Sequence, residues 1–202
     1  MTTFIKKTIL LSVISLSAVS LKSHSQDIVI TDKHDTIHCK LSRGWMGVIK
    51  YKTDKGDPIK IELGNVREFY SENKKMWVRR VYITSSRIPC FVDVLVTGKL
   101  NLYEMSGKLT FYDGSLTYGR VDPMSTSHVP PTKTQDFVAK TTDTAEVVMD
   151  DDISRGKNKE LLDAKFVPFI QDNKDVYNRY QAEGHISFGE LKKLVEMYNA
   201  GK

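Results

Sequence analysis

Between residues 26 and 97 apolar positions recur every second residue, the spacing of strands that bury one face. Ile28 and Ile30 alternate with Val29, and Lys33-His34-Asp35 makes a polar turn. Ile37, Cys39 and Leu41 then share a face opposite Thr36, His38 and Lys40. Two such runs about a short polar turn predict a hairpin. The pattern resumes over residues 48–52, turns at Asp54-Lys55-Gly56-Asp57 and continues through Ile59, Ile61 and Leu63. Residues 66–70 and 76–84 flank the polar loop Ser71-Glu72-Asn73-Lys74-Lys75 and predict a second hairpin. Residues 90–104 form the most apolar stretch beyond the N-terminus. Val92, Val94 and Val96 lie on one face and Phe91, Leu95 and Thr97 on the other, which predicts a central strand covered on both sides. Past Gly98, Leu100, Leu102 and Glu104 alternate with Lys99, Asn101 and Tyr103, the mark of a half-exposed strand. Residues 109–112 and 116–121 about Asp113-Gly114 predict another hairpin. Residues 123–134, with Pro130-Pro131, predict a surface loop, and residues 137–140 with 146–149 a last hairpin at a sheet edge.

After Gly156 the period changes. Leu161, Leu162, Phe166, Phe169 and Ile170 fit one helical face, which Pro168 must end or kink. Residues 173–183 predict a second helix with Val176, Tyr177 and Tyr180 inward, and residues 188–198 a third with Leu191, Leu194, Val195 and Tyr198 inward. Strands first and helices last predict an α+β fold: an antiparallel β-rich domain over residues 26–149, built as a meander, sandwich or partly closed barrel, then a helical segment over residues 150–202.

Composition changes this picture at the N-terminus. Lys6 and Lys7 precede the apolar residues 8–21, and Ser23 and Ser25 are small residues three and one positions before Gln26, so residues 1–25 read as a signal peptide cleaved ahead of Gln26. The apolar run is shorter than the roughly 20 residues of a membrane-spanning helix. The pattern predicts a protein secreted across the inner membrane to the periplasm or cell surface, touching the membrane only during export. Those 25 residues hold three lysines and no acid, so the formal charge of +5 drops to +2 without them. A chain so near neutrality has no electrostatic footprint for nucleic acid.

Three short motifs carry a resemblance. Asp35-Thr36-Ile37, Gly98-Lys99-Leu100-Asn101-Leu102-Tyr103 and Leu194-Val195-Glu196-Met197-Tyr198-Asn199, in that order behind a signal peptide, resemble those of uncharacterised secreted β-rich proteins of Gram-negative bacteria. That family has no assigned activity, so the resemblance implies a compartment and an order of parts but no site residues.

Candidate chemistry is sparse. Cys39 and Cys90, the only cysteines, sit in predicted strands of a chain read as secreted, where they are either bridged or separately buried. His34 and His38 share a strand face with Asp35 nearby, but positions four apart on a strand are about 13 Å apart, too far to hold one ion directly. Asp150-Asp151-Asp152 reads as a solvated link ahead of the helices. Residues 179–190 imitate a calcium loop, with Gly184 at position 6 and Glu190 at position 12, but Arg179 stands where the first carboxylate belongs. Helix capping accounts for the same residues. Gly184 suits a left-handed helix end, Ser187 and Glu190 make a capping box, and Ile186 with Leu191 a hydrophobic staple. No metal or cofactor is therefore expected. Trp45, between Gly44 and Gly47, is the aromatic best placed for binding on an exposed loop. Gly-x-Ser-x-Gly and His-Glu-x-x-His are absent, and no paired-carboxylate arrangement stands out. These features favour a non-enzymatic binding or envelope module whose partner is an envelope protein, peptide or glycan. The alternative is a small envelope-directed hydrolase whose site is dispersed along the chain.

Overall fold

Among the described residues, twelve strands precede four helices. A computed structural model describes residues 26–43, 48–84, 89–106, 109–112, 115–118, 134–141, 144–151 and 155–201. The proposed signal peptide and Trp45 lie outside the described residues. The first strands are β1 (Asp27–Thr31), β2 (Thr36–Arg43), β3 (Ile49–Lys52) and the short β4 (Ile59–Lys60). They are followed by β5 (Val66–Ser71), β6 (Met76–Ile83), β7 (Pro89–Val96) and β8 (Asn101–Ser106). A separate antiparallel pair, β9 (Leu109–Tyr112) and β10 (Ser115–Tyr118), joins across Asp113 and Gly114 as expected, and β10 lies against β3. The last strands are β11 (Thr134–Ala139) and β12 (Thr144–Asp150).

Ten of these strands form one sheet in the order β12-β11-β8-β7-β6-β5-β1-β2-β3-β4, antiparallel at every step. One further pairing changes its shape. The start of β12 lies parallel to the end of β6, with Thr144 opposite Tyr82 and Ala145 opposite Ile83. The sheet therefore closes into a ring of β6, β7, β8, β11 and β12, while the first half of β6 pairs with β5 and carries the open part of the sheet outward. The expected edge hairpin is instead the closing wall of this ring, with β11 held between β8 and β12. The fold is the expected α+β arrangement, with a mixed rather than wholly antiparallel sheet.

Alternation along the strands sorts the core into three clusters. Val81, Ile83, Val92, Tyr103, Phe137, Ala139 and Ala145 form the cluster inside the ring. On the outer face, Val29, Cys39, Tyr51, Ile61, Val66, Phe69, Val78 and Phe91 pack beneath the open part of the sheet. Also on the outer face, Leu100, Leu102, Val138, Val148 and Met149 are covered by helices α1 (Arg155–Lys165), α2 (Val167–Ile170), α3 (Lys174–Ala182) and α4 (Phe188–Asn199). With both faces covered, β8 is not half-exposed: Asn101, Leu102 and Tyr103 are all buried.

The helices follow their local signals. Pro168 falls in the first turn of α2, where its missing N–H costs nothing, and so separates α2 from α1. Asn173 caps α3 by accepting from the Val176 amide at 3.2 Å. Ser187 and Glu190 form the capping box of α4, with the Glu190 carboxylate 2.6 Å from the Ser187 amide. Ile186 and Leu191 are buried in the same cluster, as the staple requires. One detail differs. Gly184 does not adopt the left-handed conformation, and α3 ends on Glu183 in an extended conformation.

Candidate functional site: a cavity and a row of carboxylates

One line of residues, each directly opposite the next, crosses eight strands of the sheet. It runs from Ile37 through Val29, Phe69 and Val78, then Asp93, Glu104 and Asp136, and ends at Met149. Four apolar residues give way to three carboxylates on β7, β8 and β11. Directly opposed side chains on neighbouring strands sit about 5 Å apart at Cβ, and like charges so placed repel. The carboxylates occupy the gap where the outer-face cluster under the open sheet ends at Val78 and the helix-covered one begins at Met149.

Their burial is severe. Asp136 is 1% exposed, and neither of its carboxylate oxygens has a hydrogen-bond partner. Asp93 is buried with Oδ1 likewise unpartnered. Loss of water around an anion favours its neutral form. Burial, and next the negative charge of Glu104, push Asp136 up to about 8. Burial pushes Asp93 up to about 6, with Lys74 pulling it down and Glu104 adding to the rise. Asp136 therefore holds its proton at neutral pH, and Asp93 titrates just below it.

Two apolar residues of the same row border a cavity of about 300 Å³. Phe69 and Val78 from the row join Leu41 and Ile49 as its apolar lining. Its polar lining is Asp27, Ser42, Arg43, Ser71, Asn73 and Lys74. Asp27 is committed to the scaffold: one oxygen accepts from the Leu41 amide at 2.6 Å and the other from the Glu72 amide at 2.8 Å. These two hydrogen bonds hold β2 and the β5–β6 turn against β1 and so shape the cavity. Arg43 and Lys74 bring positive charge to it. None of the three row carboxylates is among its described lining residues.

The residues singled out from sequence lie elsewhere. Cys39 and Cys90 are both free thiols. Cys39 lies with Phe91 in the outer-face cluster, whereas Cys90, the neighbour of Phe91 on β7, pairs with Val81 and points into the ring. The two thiols thus face opposite sides of the sheet, and the bridged arrangement does not form. Burial raises Cys39 to about 11 and Cys90 to about 12, so both are inert thiols at neutral pH. His34 and His38 are exposed, and the His34 ring lies 3.3 Å from an Arg67 guanidinium nitrogen. Of the expected solvated link, Asp151 is exposed but Asp150 is not. Asp150 ends β12 buried and accepts from Gln135, while Asp151 accepts from the Thr134 amide at 2.7 Å. Asp152 lies outside the described residues. No group of three or more potential ligands that could hold a metal occurs among the described residues.

A second cavity of about 370 Å³ lies between the start of α1 and the α3–α4 turn, lined by Asn158, Lys159 and His185 among others. Two of its polar side chains are already engaged. The Asn158 amide bonds both backbone groups of Asp150, and Lys159 is paired with Asp163 at 2.8 Å.

The carboxylate row and Lys74 went unread in the sequence. Asp93 is the detectable one, a lone ionisable residue inside the continuous apolar run of residues 90–96. Asp136 and Lys74 carry no comparable signal, because what singles them out is the residue opposite on another strand. Compared with known proteins, the chain matches no family model, no curated protein and no solved structure. The class defined by fold and site is thus an α+β protein with a closed five-strand ring, an outward sheet extension and an apolar cavity with cationic residues in its lining.

Proposed function

We propose that the protein is a secreted, non-enzymatic binding module of the periplasm or cell surface, and that it takes its ligand in the cavity between β1, β2, β3, β5 and β6. The observation that carries this reading is the cavity itself. Its apolar floor from four strands, polar lining and fixed wall at Asp27 are the attributes of a preformed small-ligand site. Its volume suits a compact ligand or one side-chain-sized part of a larger envelope protein, peptide or glycan. The tripartite N-terminus and the resemblance to secreted Gram-negative proteins support the compartment.

Titration with N-phenyl-1-naphthylamine, an uncharged dye that fluoresces in apolar sites, tests the cavity. Saturable one-to-one binding is expected, weakened at least about tenfold by Leu41→Trp, which fills the space from a half-buried wall position. Absence of saturable binding, or equal binding by Leu41→Trp, sinks the reading.

The hydrolase alternative has one observation in its favour, the raised acids Asp93 and Asp136. Geometry weighs against it, because both carboxylates are buried and outside the described cavity lining. Release of product from envelope glycan or peptide, abolished by Asp93→Asn in a folded variant, would reverse that order.

A further inference from the structure

We propose that the cavity is a strand-wide slot in the sheet, and that it takes an extended peptide, which hydrogen-bonds to the backbone of β2 and lays one apolar side chain against the cavity lining. The proposal rests on the cavity reading above. It narrows the ligand to a peptide segment of a partner protein.

The slot lies where β1 stops short. β1 sits between β2 and β5, and its ladders begin with Asp27 opposite Cys39 and Ile28 opposite Tyr70. β2 runs on past that point to Arg43, held from its other side by β3, with Leu41 opposite Tyr51 and Ser42 opposite Lys50. β5 runs on to Ser71 and the turn that follows it. Leu41 and Ser42 on one side and Ser71 and Asn73 on the other all line the cavity, so the space between them continues the path of β1.

The hydrogen bonds at the inner end of this space are those that a strand would make. The Leu41 amide donates to one oxygen of Asp27 at 2.6 Å and the Glu72 amide to the other at 2.8 Å. Both residues therefore turn their backbone groups into the gap, and a side-chain carboxylate stands where the carbonyls of a longer β1 would be. A carboxylate accepts but does not donate. The Leu41 carbonyl, which in an antiparallel strand points the same way as its amide, has no hydrogen-bond partner among the described residues. An added strand brings the N–H that this carbonyl lacks.

Charge takes no part in the recognition. Asp27 spends both oxygens on amides, and Arg43 and Lys74 each have an interaction partner of their own. What remains for a ligand is backbone, the uncharged Ser42, Ser71 and Asn73, and the apolar lining. Leu41 packs against the outer-face cluster, and directly opposed residues share a face, so a peptide residue opposite Leu41 lays its side chain on that same apolar side. Main-chain bonds for affinity and a pocket for one side chain are the two parts of strand addition.

The blocked peptide acetyl-Thr-Ser-Leu-Ser-Thr-amide tests this in the purified protein by competition with bound N-phenyl-1-naphthylamine, which reports the apolar lining. The peptide is expected to displace the dye, and equally in low and high salt, because no ion pair forms. Two versions N-methylated at alternate amides, in opposite phases, keep the leucine but lose the N–H groups on one side of the strand or the other. At least one of them should compete about tenfold less well, the equivalent of roughly one backbone hydrogen bond. Failure of the parent peptide to displace the dye, whether the slot takes only small molecules or the residues ahead of Gln26 fill it, overturns the proposal and leaves the cavity reading standing. Equal competition by all three peptides, or displacement that weakens with salt, overturns it in the same way. Absence of saturable dye binding overturns the two together.

Discussion

Asp136 is the residue at which the fold works hardest against solvation. An ionised carboxylate with two unpartnered oxygens, opposite Glu104, is untenable in a sheet interior, and the proton it keeps is the resolution. The sign of the pH effect follows. Its folded pKa, about 8, lies far above its ordinary value of 3.8, so the stabilisation is complete below about pH 4 and disappears as pH rises through 8. Asp93 adds a smaller loss between about pH 4 and 6. Urea unfolding at pH 5 and pH 8 should therefore show the protein less stable at the higher pH, by roughly 2–4 kcal/mol from Asp136 alone. Asp136→Asn should remove most of that difference and be more stable than the wild type at pH 8; an unchanged slope would show that Asp136 is not the titrating group. The residue scale is also where the sequence is least legible. Cys39 and Cys90 could be read as either bridged or separately buried because both lie on strands, and which way each points depends on register. Asp136 precedes Phe137 in an unremarkable strand, and its meaning comes from Glu104 on β8.

Between elements, one tie joins the last two of the three resemblance motifs. Asn199, which ends the last motif, reaches from α4 to Leu100 in the second: its Oδ1 accepts from the Leu100 amide and its Nδ2 donates to the Leu100 carbonyl, both at 2.8 Å. A side-chain amide thus stands in for a strand partner just before β8 begins. Gly98 completes the fit, because a Cβ there would overlap the Asn199 amide, which is held at both ends and has no room to retreat. The last two motifs are therefore structural, tying the last helix to the ribbon, and neither supplies a lining residue of the cavity. Asn199→Ala leaves both backbone groups of buried Leu100 unpaired and should cost roughly 2–4 kcal/mol in urea unfolding. Gly98→Ala should destabilise too, but by clearly less in an Asn199→Ala background, since the clash vanishes with the amide; simple additivity would refute the lock. The α4 cap is easier to read, because Ser187 and Glu190 are three residues apart and act on each other. Ser187→Ala should lower stability by about 1 kcal/mol. Calcium should leave the melting temperature unchanged, as the turn offers capping groups where a calcium loop needs carboxylates.

At the scale of the molecule, local order proved legible and closure did not. Strand runs, the change of period after Gly156 and the inward faces of α3 and α4 are all short-range patterns. The pairing of β12 with β6 joins residues more than sixty apart through backbone hydrogen bonds, which leave no mark on side-chain alternation. That pairing turns an open sheet into a ring and makes β11 an inner strand of its wall instead of part of an edge hairpin. The same closure presents Leu100, Leu102, Val138, Val148 and Met149 as one apolar surface, and the helices are what cover it. Although the chain changes character near residue 150, its largest buried cluster draws on both sides of that point, so the strands and helices should unfold as one unit. The two tryptophans, Trp45 and Trp77, both belong to the β-rich part, and every described helix follows residue 154. Tryptophan fluorescence therefore reports the strands, and far-ultraviolet circular dichroism at the helical minimum chiefly reports α1 to α4. The two urea transitions should coincide, as two-state unfolding of a single core requires. A chain ended at residue 154 should fail to fold, because it exposes the outer wall of the ring to water. Separate transitions, or a truncated chain that melts cooperatively, would instead make the helical segment an accessory docked on a self-sufficient β domain.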